Sequence, residues 1–223
     1  MKLNVLGYEV EVTARRQNKH LRMRVVPPNG DIKVSCPPGT PVKRVEQFVR
    51  DNLIWVQKSQ AKVESSSQTL SYINGGEYLV LFGTKYKIVE REENRFSIVL
   101  DNETAFLSSP KSTERKEKVE FIKRYLKKVA TDVFPPLVAK YEAVIGVKSS
   151  GLSYRFMTSR WGSCNTKTKR ISFSVYAVEK PMAYVEYLVC HELLHIIYPN
   201  HGKEFKNALR KIIPNADKIA KLK

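Results

Sequence analysis

Near the end of this chain a glutamate sits among histidines, in the stretch YLVCHELLHIIYPNHGKEF, Tyr187 to Phe205. The chain has only 4 histidines, and His191, His195 and His201 are three of them. Residues four apart on a helix lie one turn above the other on nearly the same face. His191 and His195 can therefore offer two imidazoles to one ion. Glu192 points to one side of that ion, where its carboxylate can take a proton from an activated water, the HExxH arrangement of zinc peptidases. A hydrolytic zinc site uses three protein ligands and keeps a fourth position open. His201 is the candidate third ligand. Pro199 lacks an N–H and disfavours helical geometry at Tyr198, and Asn200 and Gly202 form turns readily. A chain that leaves the helix at Tyr198 and turns sharply brings His201 back to the same ion. The competing reading is a buried helix with incidental histidines. The flanks are apolar, however, and two histidines with an unpaired glutamate are costly to bury there. The expectation is one Zn²⁺ ion on His191, His195 and His201, with Glu192 as general base. His20, between Lys19 and Leu21, is expected at the surface.

A second segment with chemical potential is RWGSC, Arg160 to Cys164. Arg160 could stabilise an oxyanion or hold an acidic group. Trp161 reads as packing beneath the metal helix, and Gly162 and Ser163 as a turn. Cys164 and Cys190 read as small buried hydrophobes. Tyr176, Tyr184 and Tyr198 are possible oxyanion donors, and the sequence does not choose among them.

The elements that must position these groups follow from periodicity. Residues 1–38 alternate apolar and polar side chains in strands, with PPNGD as a turn. Thr40 and Pro41 open a helix, the hydroxyl capping it, with Val42, Val45, Phe48, Val49 and Val56 on its apolar face. That helix is expected to end near ESSSQT, Glu64 to Thr69. Short strands with turns at Gly75–Gly76 and Gly83 come next. The polar stretch Ser108 to Lys118 is the expected boundary between an N-terminal β-rich domain, 1–110, and a second domain, 111–223. Val119, Ile122, Leu126, Val129 and Val133 then mark an amphipathic helix that Pro135 and Pro136 interrupt or end. Residues 152–176 return to strands. Pro181 opens the histidine-bearing helix, and GKEFKNALRKII forms a last one. The fold class is α+β.

The residues quoted carry a resemblance. SRWGSCNTK, ISFS and VEYLVCHELLHIIYPNHGKEF are similar to the YgjP-type metallopeptidase-like family, whose members have an RWGSC segment, a short strand, a helix with HEL-x-H and a further histidine in N-H-x-x-x-F. The N-terminal half resembles it too, in its basic strand pair, its PPGTP turn into a helix containing Trp55, and its glycine-turn hairpin. The resemblance implies a zincin-like C-terminal domain of helices packed on a small antiparallel sheet, and a metal-dependent hydrolase. It assigns the metal ligands to His191, His195 and His201 and the general base to Glu192. Some related small zinc peptidase domains act on DNA-bound proteins. The chain departs from the family in two places. SVY, Ser174 to Tyr176, stands where NWR is usual, and Lys206 stands where tryptophan often follows Phe205. Both bear on substrate contacts.

Composition sets the outer limits. The 223 residues are 42% hydrophobic and 27% charged, ordinary for a globular protein. The 3 cysteines are scattered, which fits a reducing cytoplasm. The N-terminus lacks the apolar run of a signal peptide, and no segment reads as a membrane span. The net charge of +17 favours a polyanion. The expected function is zinc-dependent hydrolysis of peptide or amide bonds, with nucleic-acid association, through the basic surface, as the alternative.

Overall fold

The computed structural model describes residues 1–26, 30–64 and 71–222. Residues 27–29 of the expected turn in PPNGD and residues 65–70 lie outside them, while Gly30 is a turn residue with φ of 72°. Two compact units form, Met1–Tyr78 and Leu79–Lys223.

In the first unit, strands β1 (Lys2–Val5), β2 (Tyr8–Ala14), β3 (Arg22–Val26) and β4 (Asp31–Cys36) form a sheet in the order β1-β2-β4-β3. β2 and β4 run parallel, and the other pairs are antiparallel. Alternation puts Val10, Val12, Ile32 and Val34 on one face, where they pack with Val45, Val49 and Val56. The expected single helix is two, α1 (Val42–Asp51) and α2 (Leu53–Glu64). They part at Asn52, whose side-chain amide donates to the Phe48 carbonyl at 2.8 Å. The Thr40 hydroxyl does not cap the helix. It donates back to the Pro37 carbonyl at 2.7 Å, and Pro41 occupies the cap position.

From Leu79 on, the second unit takes in β5 (Tyr78–Leu81), β6 (Thr84–Glu92), β7 (Ser97–Asp101) and β8 (Thr104–Ser109), in the order β5-β6-β8-β7. Ser108–Lys118 lies inside this unit, finishing β8 and opening α3 (Arg115–Ile145). The Phe82 N–H donates to the Val178 carbonyl at 2.7 Å and the Gly83 N–H to Glu179 at 3.2 Å. Gly83 has φ of 86°, and a Cβ there would lie 3.1 Å from the Pro181 ring. This turn braces the entry to the histidine-bearing helix.

Contrary to expectation, α3 continues unbroken through Pro135 and Pro136. Both prolines are exposed, so the hydrogen bonds they forfeit face solvent. The opposite face carries the helix across them. Ile122, Leu126, Ala130, Phe134, Val138 and Tyr141 are buried at three- and four-residue steps, and Phe134 stacks on Phe173 with centroids 4.3 Å apart.

A three-stranded sheet follows, β9 (Gly151–Arg155), β10 (Gly162–Asn165) and β11 (Arg170–Ser174), in the order β10-β11-β9. It is mixed rather than wholly antiparallel, because β9 runs parallel to β11. Gly162 and Ser163, expected in a turn, begin β10. A 3₁₀ segment (Val175–Glu179) leads into α4 (Met182–Leu194), followed by α5 (Lys203–Ile212) and the short α6 (Ala216–Ile219). The architecture is α+β, as expected. Among the described residues no helix is long and apolar enough to cross a membrane.

Candidate metal centre

α4 is apolar on most sides. Tyr184, Val185, Leu188, Val189, Cys190, Leu193 and Leu194 are all buried, as befits a central helix. It is tied to α3 through Glu186, which accepts from Lys140 at 3.1 Å and from the Tyr141 hydroxyl at 3.2 Å. The helix ends at Leu194, earlier than Tyr198, because the chain tightens at once. The Tyr198 N–H bonds the Leu194 carbonyl at 2.8 Å, and Ile196 and Ile197 reach back three residues. This tight turn, followed by Pro199 and Asn200, returns His201 to the helix.

The ligand-capable atoms of His191, His195 and His201 all lie within 4.8 Å of one another. Nε2 of His191 is 3.3 Å from Nε2 of His195 and 2.9 Å from Nε2 of His201. Tetrahedral zinc with bonds of 2.0–2.1 Å separates its nitrogen ligands by about 3.3 Å, so the cluster has the size of such a site. The tautomer suits it as well. His195 Nδ1 lies 3.0 Å from the Tyr198 carbonyl, which can only accept, so Nδ1 carries the proton and Nε2 keeps its lone pair. His191 Nδ1 lies 3.4 Å from the Tyr187 hydroxyl, one turn back on α4. Burial, then the neighbouring His195 and His201, pushes the His191 imidazole down to about 4, so it is neutral. Burial lowers His195 too, against the opposing bond to Tyr198. Beneath the cluster lies Phe205, only 2% exposed. Its ring centroid is 4.8 Å from that of His195 and 4.9 Å from those of His191 and His201.

Glu192 is 5% exposed. It shares a cavity of about 210 Å³ with His191, Trp161, Gly162, Tyr184 and Tyr187. Burial pushes its carboxyl up to about 7, with the Arg160 charge opposing. The carboxylate lies directly over β10. A Cβ on Gly162 would come within 2.6 Å of Glu192 Oε1 and 2.8 Å of its Cγ and Cδ, so only glycine fits there without a shift. β10 is pinned in turn, because the Ser174 N–H donates to the Trp161 carbonyl at 2.7 Å. Trp161 meets Tyr184 edge to face, and the Lys180 ammonium lies 4.8 Å from its ring centre.

The other sequence candidates fall in different places. Arg160 is exposed and precedes β10 closely enough for its charge to act on Glu192. Tyr176 packs on Phe156, and burial, then Glu179, raises its phenol. Tyr198 contributes its carbonyl to His195 and lines a groove with Val144, Ile145 and Ile197. Cys190 is buried and its thiol is pushed up to about 12. Burial, then Glu192, pushes Cys164 up to about 11, so neither is a ready thiolate. His20 is exposed. Gly162, Tyr187 and Phe205 were given no site role by the sequence. Tyr187 could have been found, since it precedes His191 by one helical turn. Phe205 stands four residues after His201. Gly162 has no local signal, because its constraint comes from a distant helix.

A family model described as YgjP-like, metallopeptidase domain matches residues 19–222. Among solved structures, the metallopeptidase zymogen of Methanocaldococcus jannaschii jannalysin is 26% identical over 39% of this chain and 89% of its own, with a TM-score of 0.36. The metallopeptidase zymogen of Pyrococcus abyssi abylysin is 17% identical over 39% and 88%, with a TM-score of 0.37. No curated protein matches the chain.

Proposed function

The chain belongs to the YgjP-like metallopeptidase family, and from that premise we propose that it hydrolyses peptide or amide bonds with one zinc ion held by His191, His195 and His201. The observation that carries this reading is the convergence of three imidazole nitrogens beside a buried carboxylate. Bound there, zinc would supply Lewis acidity, polarising a carbonyl and acidifying a water. Glu192 takes the proton from the attacking water at a carboxylate oxygen and returns it to the leaving amine nitrogen. The cavity that Glu192 shares with Trp161, Tyr184, Tyr187 and His191 gives the attacking water room beside the carboxylate. Tyr198 and Tyr187 orient His195 and His191 through Nδ1. Arg160, whose charge acts on Glu192, is the candidate to hold an anionic group of the substrate. All these residues fall within 111–223, the span expected to form the zincin-like domain.

Profiling with a mixed peptide library tests the assignment. Glu192→Gln should lose cleavage and keep its metal. Full cleavage by that variant would overturn the general-base role. The charge of +17 supports a second reading, in which the protein also associates with nucleic acid and acts on proteins bound to it. Binding that does not weaken as salt rises would exclude phosphate contacts.

A further inference from the structure

The solvent face of the first unit's sheet carries arginines that the fold does not use. From Ala14 to Val26 the sequence holds Arg15, Arg16, Lys19, Arg22 and Arg24 and no acidic residue. Arg15, Arg22 and Arg24 are exposed. On the same face, Lys33 pairs with Glu11 at 2.7 Å and Lys2 with Glu9 at 2.5 Å. Among the described residues none of the three arginines has such a partner. They line a concavity of about 370 Å³ together with Thr13, Asn18, Ser35, Lys33 and Glu11, whose carboxylate Lys33 holds. The Asn18 side-chain nitrogen is buried at its wall with no acceptor. β3 is the terminal strand of the sheet. Arg22 and Arg24 also line a second concavity, of about 350 Å³, with Phe48, Asn52 and Trp55. Trp55 is 46% exposed.

We propose that this strip, Arg15, Arg22 and Arg24 beside Trp55, binds single-stranded nucleic acid. Three guanidinium forks with no carboxylate paired to them match phosphate oxygens two at a time, and Glu11, the acid lining the concavity, is already held by Lys33. Thr13 and Ser35 add neutral hydroxyl donors along the same track. The indole offers a flat face on which an unpaired base stacks, and the bases of a duplex, already stacked on each other, cannot use it. An acidic peptide satisfies the arginines and leaves the tryptophan idle. The strip is independent of the histidine centre, so loss of one function does not imply loss of the other.

The test is fluorescence anisotropy of a labelled oligothymidylate with the full chain over a range of KCl. Replacing Arg15, Arg22 and Arg24 with glutamine should weaken binding about tenfold or more and flatten the salt dependence by about two, the value for three phosphate contacts on a single strand. Trp55→Ala should weaken it about fivefold or more. Glutamine at Lys203, Lys206 and Lys211 on α5 makes the same charge change elsewhere and should have little effect. Glu192→Gln should bind as the parent does. All the substituted arginines are exposed, and an unchanged melting temperature verifies the fold. Equal loss in the two triple variants would overturn the proposal, as would a polyglutamate peptide competing as well as oligothymidylate. Duplex binding as tight as single-strand binding, with Trp55→Ala silent, would overturn it too.

Discussion

Glu142 and Glu192 are buried almost equally, at 6% and 5% exposed, and the chain treats them in opposite ways. Glu142 closes the last turn of α3. Its carboxylate accepts from the Ser149 N–H at 2.7 Å, the Ser149 hydroxyl at 2.6 Å and Lys148 at 2.6 Å. Burial pushes its carboxyl up, but these bonds outweigh burial and hold it below the ordinary range. Glu192 has only burial and the more distant charge of Arg160 acting on it, and it rises. A carboxylate saturated with donors is stable and inert. One buried without donors is costly to keep charged. The first is satisfied within the architecture, and the second is the group to which we assign the proton transfer.

The largest expected effect is on Glu192. Glu192→Gln should lower peptide hydrolysis by about a thousandfold with no loss in melting temperature, because a buried charge without hydrogen-bonding partners is removed. Glu142→Gln should leave kcat unchanged. A comparable loss of turnover in both variants would erase the distinction. Next is Gly162→Ala, whose methyl displaces the Glu192 carboxylate from β10. Turnover should fall about ten- to a hundredfold with metal content unchanged.

Glu142 gives the stability counterpart. Its folded carboxyl ionises below the unfolded value, so the stabilisation is complete above the unfolded value, about pH 4.3. It is lost as pH falls through the lower folded value. Glu142→Gln should therefore cost about 1–3 kcal/mol at neutral pH, and the difference should shrink below about pH 4. Urea unfolding at both pH values checks this, and a difference that grows in acid would contradict it. The smallest effect is at Tyr187. Removing its weak bond to His191 in Tyr187→Phe should loosen metal binding by about tenfold or less, read by competition with a chelator.

The histidine centre was legible because its grammar is local. The four-residue step of His191 and His195, and Pro199 between them and His201, are written within one short segment. Glu192 came with that step. Gly162 was read as a turn because what constrains it is a carboxylate on a helix far along the chain. Pro135 and Pro136 misled for the same reason. Their local cost is real, but Phe134 packed on Phe173 outvotes it, and that pair is visible only in three dimensions. The division of the N-terminal helix at Asn52 and the parallel placement of β9 beside β11 are likewise decided by partners that no periodicity announces.

Metal content tests the central claim most directly. Protein purified without added metal should carry about one equivalent of zinc. Glu192→Gln should retain it, and His191→Ala and His201→Ala should each lose most of it while remaining folded by circular dichroism. Full zinc occupancy in both histidine variants would contradict the assignment.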